Sequence, residues 1–354
     1  MMDKIADTIA KIQKIDDGLI KLAQSRLDNL TKPQGSLGRL EEFARRMVAI
    51  TGSTIPRTER KVIFTMAGDH GVAVEGVSAY PSEVTPQMVY NFIAGGAGVN
   101  VLARHVGAKV MVVDMGVAAD FEPAANLIVK KIAYGTKNIA TGPAMSNNEA
   151  KKSIESGIDV FNEELNEHGI DIVGTGDMGI ANTTPSAAII CAVTGKDPSI
   201  IAGRGTGVDD LRLKLKIDVI RKALEINKPN PRDPLDLLAK VGGFEIGGIA
   251  GLILAAASHR IPVVVDGFIS TAGALIAIGF NPTVTDYLFM SHNSAEKGHS
   301  EVLDFIGIEP MLDLDLRLGE GTGAALAIGI IEASVKILTE MATFGEAGVS
   351  NRND

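Results

Sequence analysis

Tryptophan is absent from this chain, aromatic residues make up only 4% of it, and cysteine occurs once, at Cys191. A single cysteine excludes an intrachain disulfide, and the apolar residues around it predict a buried, inert thiol. We therefore expect a protein of the reducing cytoplasm. Because aromatic rings are so few, the core must rest on aliphatic side chains, while the 39 glycines indicate many tight turns.

Positive charge is also in short supply, since 34 lysines and arginines face 43 acidic residues and the net charge is -9 at pH 7. A nucleic-acid surface needs clustered Lys and Arg, so this balance argues against one. The N-terminus lacks the basic start and apolar core of a signal peptide, and we expect no apolar stretch long and charge-free enough to span a bilayer. Small-molecule chemistry is the function class that remains.

Signatures of several familiar site classes are missing as well. There is no Walker loop, and a glycine loop in the middle of the chain has the spacing Gly-x-Gly-x-Gly instead of the dinucleotide fingerprint, which counts against a nicotinamide-dependent dehydrogenase. His70, His292 and His299 stand near Asp69 and Asp266 in the sequence pattern, but their spacing is not that of metal ligands. We predict hydrogen-bonding or capping roles for these histidines, and neither metal nor cofactor.

Hydrophobic periodicity predicts an α/β fold with a Rossmann-like parallel sheet and helices on both faces. From Lys61 onward, short apolar runs alternate with helical segments, a pattern typical of βαβ units. We expect the terminal helices to pack as a small helical domain of residues 1–58 and 309–354, with residues 59–308 forming the large domain. The predicted helices include 5–22, 37–50 and 322–341, the predicted strands are 61–67, 110–113, 170–173, 261–265 and 287–290, and 344–354 is predicted to be a loose tail.

Polar or glycine residues follow every one of these predicted strands. In an open parallel sheet the carboxyl ends of the strands lie along one edge, which is where ligands bind. Turn formation or helix capping explains a single Asp or Gly at a strand end, but not the repetition at all five ends. We therefore predict one large site at this edge, built from residues 68–71, 114–116, 174–179, 266–267 and 291–294.

Glu320 stands in the run Gly-Glu-Gly-Thr-Gly, directly before a predicted helix. Glycines on both sides allow a substrate to approach the backbone closely, and the N-terminus of the helix would point back at the site. Glu320 is therefore our candidate catalytic base. The alternative is a solvated glutamate that the helix dipole favours at a helix start.

Two further loops precede predicted helices and offer donors to a phosphate group. Free N–H groups and the positive end of a helix would hold the phosphate at the first loop, and the second adds a guanidinium group. A purely structural turn explains each loop taken alone about as well as phosphate binding does. The residues concerned are Gly179, Ile180, Asn182, Thr183 and Thr184 in the first loop, and Gly203, Arg204 and Gly205 in the second.

Taken together, these segments resemble the nicotinate-nucleotide:dimethylbenzimidazole phosphoribosyltransferase family. The resemblance implies transfer of phosphoribose from nicotinate mononucleotide to an aromatic base, giving an α-glycosidic nucleotide for cobamide assembly and free nicotinate. It also implies a homodimer with a Rossmann-like large domain and a small helical domain built from both termini. The matching segments are 30–33, 35–41, 69–71, 75–78, 179–184, 291–292, 294–299 and 317–325.

The resemblance also implies roles for individual residues. The general base of the family falls on Glu320, and Asp177 is a second acidic position where relatives carry glutamate. Ser291 is assigned to nucleotide binding. The base pocket is assigned to Tyr80, Met88, Met178 and Leu318. Such a wall is apolar and adaptable, and it suits purines, substituted benzimidazoles or phenols.

Three alternatives accompany this interpretation. The first is transfer to phenol or p-cresol with an O-glycosidic product, in a heterodimer with a similar chain. The second is a diphosphate-dependent phosphoribosyltransferase, which needs magnesium and a paired-acid loop after a strand, whereas Asp209 and Asp210 follow a glycine loop. The third is a non-catalytic nucleotide-binding subunit, against which the glycine cage around Glu320 argues.

Overall fold

The computed structural model describes residues 3–205 and 207–350 and is built around a parallel sheet. The strands are β1 (Lys61–Gly68), β2 (Lys109–Gly116), β3 (Leu127–Val129), β4 (Ile172–Met178), β5 (Val263–Val265) and β6 (Leu288–Met290), with a separate parallel pair formed by β7 (His292–Asn293) and β8 (Leu312–Asp313). The strand order is β3-β2-β1-β4-β5-β6. This is the order of a doubly wound sheet, so the predicted α/β class is confirmed.

Helices cover the sheet on both sides, because every residue of β1 is buried and both α11 (Phe244–Ser258) and α14 (Thr322–Glu340) pack against it. The other helices are α1 (Lys4–Ile9), α2 (Asp17–Asp28), α3 (Arg39–Thr51), α4 (Val84–Ile93), α5 (Gly98–Val106), α6 (Asn147–His168), α7 (Thr183–Thr194), α8 (Pro198–Ile201), α9 (Asp210–Asn227), α10 (Pro234–Val241), α12 (Phe268–Phe280), α13 (His299–Ile306) and α15 (Phe344–Ala347). Short 3-10 helices span Gly71–Glu75 and Pro282–Tyr287. The core is aliphatic, as predicted, and burial raises the pKa of the Cys191 thiol in α7 to about 12.

The strand predicted at residues 170–173 ends too early. In the structure β4 continues to Met178, so its glycines lie within the strand rather than in a turn after it. A side chain at Gly174 would be pressed between Ile63 and Ala324, because its Cβ would come within 3.0 and 3.2 Å of them. These glycines therefore mark the close approach of α14 to the sheet, not a loop.

The N-terminal helix prediction was also wrong in one respect. Residues 5–22 form two helices, because α1 ends at Ile9 and Asp16 starts α2 by accepting a hydrogen bond of 2.7 Å from the N–H of Gly18. The short edge strand β3 was not predicted. In the predicted tail, residues 344–347 form α15, and residues 351–354 lie outside the described part of the chain.

The expectation that no segment is apolar and long enough to cross a membrane is wrong for α14. This helix has 19 residues and a mean hydropathy of 1.5. In the structure it packs against α3, α5 and β4, so a core position accounts for its composition. A small apolar cluster joins its end to α2 and α3, and Leu30 pairs with Thr343. The division into two domains stays a prediction.

Candidate active site

A cavity of about 360 Å³ opens at the carboxyl edge of the sheet, close to the point between β1 and β4 where the strand order reverses. Doubly wound sheets bind their ligands at this point. The cavity brings together eleven of the residues that the sequence singled out, namely Tyr80, Met88, Asp177, Met178, Gly179, Ile180, Asn182, Thr183, Gly205, Leu318 and Glu320. The prediction of one site at this edge therefore agrees with the fold.

Glu320 lies in a turn of three residues that all have left-handed backbone. The φ angle is 77° at Gly319, 66° at Glu320 and 103° at Gly321. For a residue with a Cβ atom this conformation costs about 1–2 kcal/mol, so the surroundings must hold it. The hydroxyl of Thr65 on β1 donates a hydrogen bond of 2.8 Å to the carbonyl oxygen of Glu320. Gly176 on β4 lies so close to that carbonyl that a Cβ there would be 2.2 Å from the oxygen.

Glu320 lines the cavity, although the residue is only 5% exposed. Burial raises the pKa of Glu320, the N–H of Val99 opposes the shift, and the negative charge of Asp266 adds to it. The Val99 N–H, at the start of α5, is 3.4 Å from Oε2. A carboxylate whose pKa lies closer to neutral pH is a better proton acceptor than an ordinary surface glutamate.

Asp177, the second carboxyl group at the cavity, lies near the end of β4. Its Oδ2 accepts a hydrogen bond of 2.9 Å from the amide of Asn182, whereas Oδ1 has no partner within the described residues. Burial, followed by the charges of Asp266, Glu245 and Glu320, raises the pKa of Asp177 well above its ordinary value. This carboxyl group therefore keeps its proton to higher pH than a surface aspartate and can donate a hydrogen bond.

A buried lysine marks the other half of the site. Nζ of Lys216, on α9, donates to the Thr183 hydroxyl at 2.7 Å and to the Gly203 carbonyl at 3.1 Å. Burial lowers the pKa of Lys216 to about 8, against the raising effect of Glu296. Thr183 is the first residue of α7, so an ammonium group and a helix N-terminus converge beside Gly205 at the cavity. This is the arrangement that binds a phosphate group.

Comparison with known proteins agrees with this geometry. A family model described as phosphoribosyltransferase matches residues 12–349. A protein of Geobacter sulfurreducens named nicotinate-nucleotide–dimethylbenzimidazole phosphoribosyltransferase is 63% identical over 349 residues, which is 99% of each chain. One of the same name from Chloroflexus aggregans is 54% identical over the full length of both chains. This chain belongs to the nicotinate-nucleotide–dimethylbenzimidazole phosphoribosyltransferase family.

Two crystal structures of this family from Thermus thermophilus have the same fold. The nicotinate-nucleotide–dimethylbenzimidazole phosphoribosyltransferase structure is 42% identical with a TM-score of 0.90, and covers 96% of this chain and 100% of that one. The CobT structure is 44% identical with a TM-score of 0.91, and covers 95% and 100%. The family resemblance seen in the sequence is confirmed.

Four residues that the sequence assigned to nucleotide binding do not line the cavity of this phosphoribosyltransferase. Thr184 is completely buried inside α7. The guanidinium of Arg204 contacts Asp210 and the Val208 carbonyl instead. Gly203 packs against the Glu296 side chain, and Ser291 donates its hydroxyl proton to the carbonyl of Asp266. Helix packing or a contact with a neighbouring residue accounts for the position of each of these four residues outside the cavity lining.

The structure also adds cavity residues to which the sequence assigned no individual role. Phe268, Ile269 and Val84 extend the apolar wall, and Glu296 and Arg317 bring charge to the cavity. Lys216 escaped notice because it stands in an alternating Leu-Lys run, which resembles the solvated face of a helix. Its burial, which only the packing of α9 on α7 reveals, was the missing signal.

His292 and His299 lie within hydrogen-bond distance of the hydroxyls of Ser291 and Thr271, as predicted, whereas neither ring nitrogen of His70 has a hydrogen-bond partner among the described residues. Nε2 of His70 lies 2.8 Å from Oε1 of the buried Glu245, and although burial lowers the pKa of His70, Glu245 and the charge of Asp69 together raise it overall. His299 accepts a bond from the Ser294 N–H at Nδ1 and lies 2.9 Å from the Thr271 hydroxyl. In residues 3–205 and 207–350, no group of three or more His, Cys, Asp or Glu side chains is arranged to hold a metal ion.

Proposed function

We propose that this protein transfers phosphoribose from nicotinate mononucleotide to an aromatic base such as dimethylbenzimidazole. The products are α-ribazole phosphate, a precursor for cobamide nucleotide-loop assembly, and nicotinate. The observation that carries the proposal is that one cavity is lined both by the buried Glu320 and by Thr183, the first residue of α7, whose hydroxyl accepts a hydrogen bond from the buried Lys216. The name that the relatives bear describes the same activity.

The reaction needs one proton acceptor. The bond between C1′ and the pyridinium nitrogen of nicotinate mononucleotide breaks, and nicotinate leaves with the electron pair, so the leaving nitrogen requires no proton. A ring nitrogen of the base forms the new bond to C1′ and loses its N–H proton. Glu320 accepts that proton as the bond forms. The raised pKa of Glu320 suits a general base working near neutral pH.

The nucleotide is held by the polar half of the cavity. Lys216 and Thr183 bind the phosphate through charge-assisted hydrogen bonds, with the N-terminus of α7 adding its partial charge. Asp177, protonated at Oδ1, donates a hydrogen bond to an oxygen of the ribose. The unpartnered Oδ1 and the raised pKa of Asp177 support this role.

The acceptor base lies against the apolar wall. This wall consists of two thioethers, an alkyl group, a phenyl ring and a phenol, which belong to Met88, Met178, Leu318, Phe268 and Tyr80. Such a wall favours a flat aromatic molecule with few polar substituents and tolerates differences in shape. Among the acceptors named from the sequence, dimethylbenzimidazole combines an apolar edge with an N–H proton for Glu320.

We further propose a cytoplasmic homodimer with a small domain built from both chain ends. Val74 and Leu211 are 80% and 82% exposed, and Leu215 on the same helix as Leu211 is 41% exposed. Leu215 lies close to Gly76, two residues after Val74, because a Cβ at Gly76 would be 3.8 Å from its Cδ2, and an exposed apolar patch of this kind commonly marks a subunit contact. The cluster that joins α2, α3 and α14 supports the small domain. Light scattering of the purified chain tests the dimer.

The decisive test is a competition between acceptors. The purified protein is incubated with nicotinate mononucleotide and an equimolar mixture of dimethylbenzimidazole, adenine and p-cresol, and the products are identified by mass spectrometry. An N-linked benzimidazole nucleotide with one equivalent of nicotinate supports the proposal. A cresol O-glycoside as the main product would show that the acceptor is a phenol and not a benzimidazole. Nucleotide binding without nicotinate release would instead indicate a non-catalytic subunit.

A further inference from the structure

Asp266 is a fully buried carboxyl group that does not line the cavity but lies directly behind the catalytic turn. It follows β5, and its two oxygens accept hydrogen bonds from the first residues of α14. Oδ2 accepts from the N–H of Gly321 at 3.1 Å and Oδ1 from the N–H of Ala324 at 3.0 Å. Both bonds cross from the sheet to the helix, so they fix where α14 begins.

This helix has no cap of its own. The residue at the N-cap position of α14 is Gly321, which has no side chain to accept a hydrogen bond. Asp266 supplies the missing acceptor from another part of the chain, 55 residues away. The residue before the cap is Glu320, so the position of the helix start sets the position of the glutamate.

Asp266 is itself held rigidly. Its N–H donates to the Thr175 hydroxyl on β4 at 3.1 Å, and its carbonyl oxygen accepts from the Ser291 hydroxyl at 2.7 Å. The Ser291 hydroxyl in turn lies 2.8 Å from Nδ1 of His292. A residue whose backbone is anchored on both sides, to β4 and to the residue after β6, can transmit the geometry of the sheet to the turn that its side chain holds.

We propose that Asp266 is a positioning residue, which caps α14 and thereby holds the left-handed turn at Gly319–Gly321 so that the carboxylate of Glu320 faces the reacting base. The inference rests on the proposed function, because it concerns how Glu320 performs its step. It goes further in naming the group that keeps an unfavourable backbone conformation in place. The bond from Thr65 to the Glu320 carbonyl holds the turn from its other side.

An ordinary helix cap would affect stability alone, so the test needs a readout of the reaction. The Asp266→Asn variant keeps the size of the side chain, but an NH₂ group replaces one of the two carboxyl oxygens. That NH₂ group cannot accept a hydrogen bond from the backbone N–H of Gly321 or Ala324. We expect kcat to fall roughly 10- to 100-fold, the effect of a displacement of about 1 Å at a reacting group, while KM for nicotinate mononucleotide stays within about twofold. The proposed phosphate contacts, at Lys216 and Thr183, do not involve this turn.

The pH profile supplies an independent readout. Asp266 and Asp177 interact electrostatically with Glu320, and the other titratable or charged residues that line the same cavity are Tyr80, His292, Glu296 and Arg317. Because the charge of Asp266 contributes to the raised pKa of Glu320, its removal should move the acid limb of the kcat profile to lower pH. A cap that served stability only would leave this limb where it is.

Asp233→Asn is the matched control, because Asp233 caps α10 through the N–H groups of Leu235 and Asp236, away from the cavity. It should lower Tm without changing kcat or the pH profile. If Asp266→Asn is too unstable to purify, Asp266→Ser, which keeps one oxygen acceptor, is measured with the same readouts. Wild-type kcat and pH profile in the Asp266 variant would overturn the positioning role alone. No turnover by the wild-type protein would overturn the proposed function and this inference with it.

Discussion

The ammonium group of Lys216 lies 2.7 Å from the hydroxyl oxygen of Thr183, although the two residues are 33 positions apart in the chain. The contact joins α9 to the first turn of α7. It places a positive charge at a helix N-terminus, whose partial positive charge also favours an anion. Nucleotide affinity should therefore depend strongly on this one buried side chain.

Replacing Lys216 with methionine removes the charge but keeps most of the apolar stem. We expect KM for nicotinate mononucleotide to rise about 10- to 100-fold, because a hydrogen bond to a charged group contributes about 1.5–3 kcal/mol, with a smaller effect on kcat. Initial rates at varied nucleotide concentration measure both constants. Lys222→Met, on the exposed face of the same helix, is the control and should keep the wild-type KM. An unchanged KM in Lys216→Met would place the phosphate elsewhere.

The same lysine predicts an alkaline limit to nucleotide binding. The pKa of Lys216 in the unliganded protein is lowered to about 8, so the side chain loses its charge as the pH rises through that value. The ratio kcat/KM for the nucleotide should fall above about pH 8. Lys216→Arg should remove this limb from the measurable range, because guanidinium stays protonated. An alkaline limb that persists in the arginine variant would belong to another group.

Glu320→Gln keeps the shape of the side chain and removes its ability to accept a proton. We expect nicotinate release to slow by about 10²–10⁴-fold, the usual contribution of a general base, while nucleotide binding measured by calorimetry stays close to wild type. Glu340→Gln, at the exposed far end of α14, is the matched control and should be fully active. Wild-type turnover in Glu320→Gln would remove this residue from the mechanism.

The features that the sequence revealed are those encoded by neighbouring residues. Glu320 was identifiable because its glycine cage is contiguous, and β1 because most of its residues are apolar and contiguous. Lys216 and Asp266 act across 33 and 55 residues, so only the folded chain shows that they reach the site. Long-range contacts of this kind leave no periodic pattern in the sequence.

Glycine was the main source of error in the strand predictions. In β4 the glycines resemble turn residues, but the structure uses them to let α14 approach the sheet. Strand β3 has only three residues and is partly exposed. A strand of this kind does not show a strong alternation of apolar and polar residues, so the sequence does not reveal it. The prediction for Arg204 failed for a different reason. Its loop was predicted to bind a phosphate group, but the guanidinium pairs with Asp210.

Asp177→Asn should stabilise the protein, and the gain should depend on pH. The pKa of Asp177 is raised in the folded state, so its ionisation weakens the fold as the pH rises above the ordinary aspartate range. We therefore expect the Tm of Asp177→Asn to exceed that of wild type most at about pH 8 and least near about pH 4, the ordinary aspartate pKa. Asp304→Asn, at an exposed position, should show no such trend. A difference that stays constant with pH would mean that Asp177 is not held protonated.

Gly176→Ala tests whether the catalytic turn depends on close contact with the sheet. A Cβ at this position would lie 2.2 Å from the carbonyl oxygen and 2.6 Å from the carbonyl carbon of Glu320, so backbone must move. We expect kcat to fall by roughly 100-fold, as for a displacement of about 1 Å at a reacting group, and Tm to drop. Gly142→Ala, where a Cβ meets nothing within 4 Å, should leave both unchanged. Full activity in Gly176→Ala would show that the turn adjusts without moving the carboxylate, so that strand β4 does not help to set the position of the base.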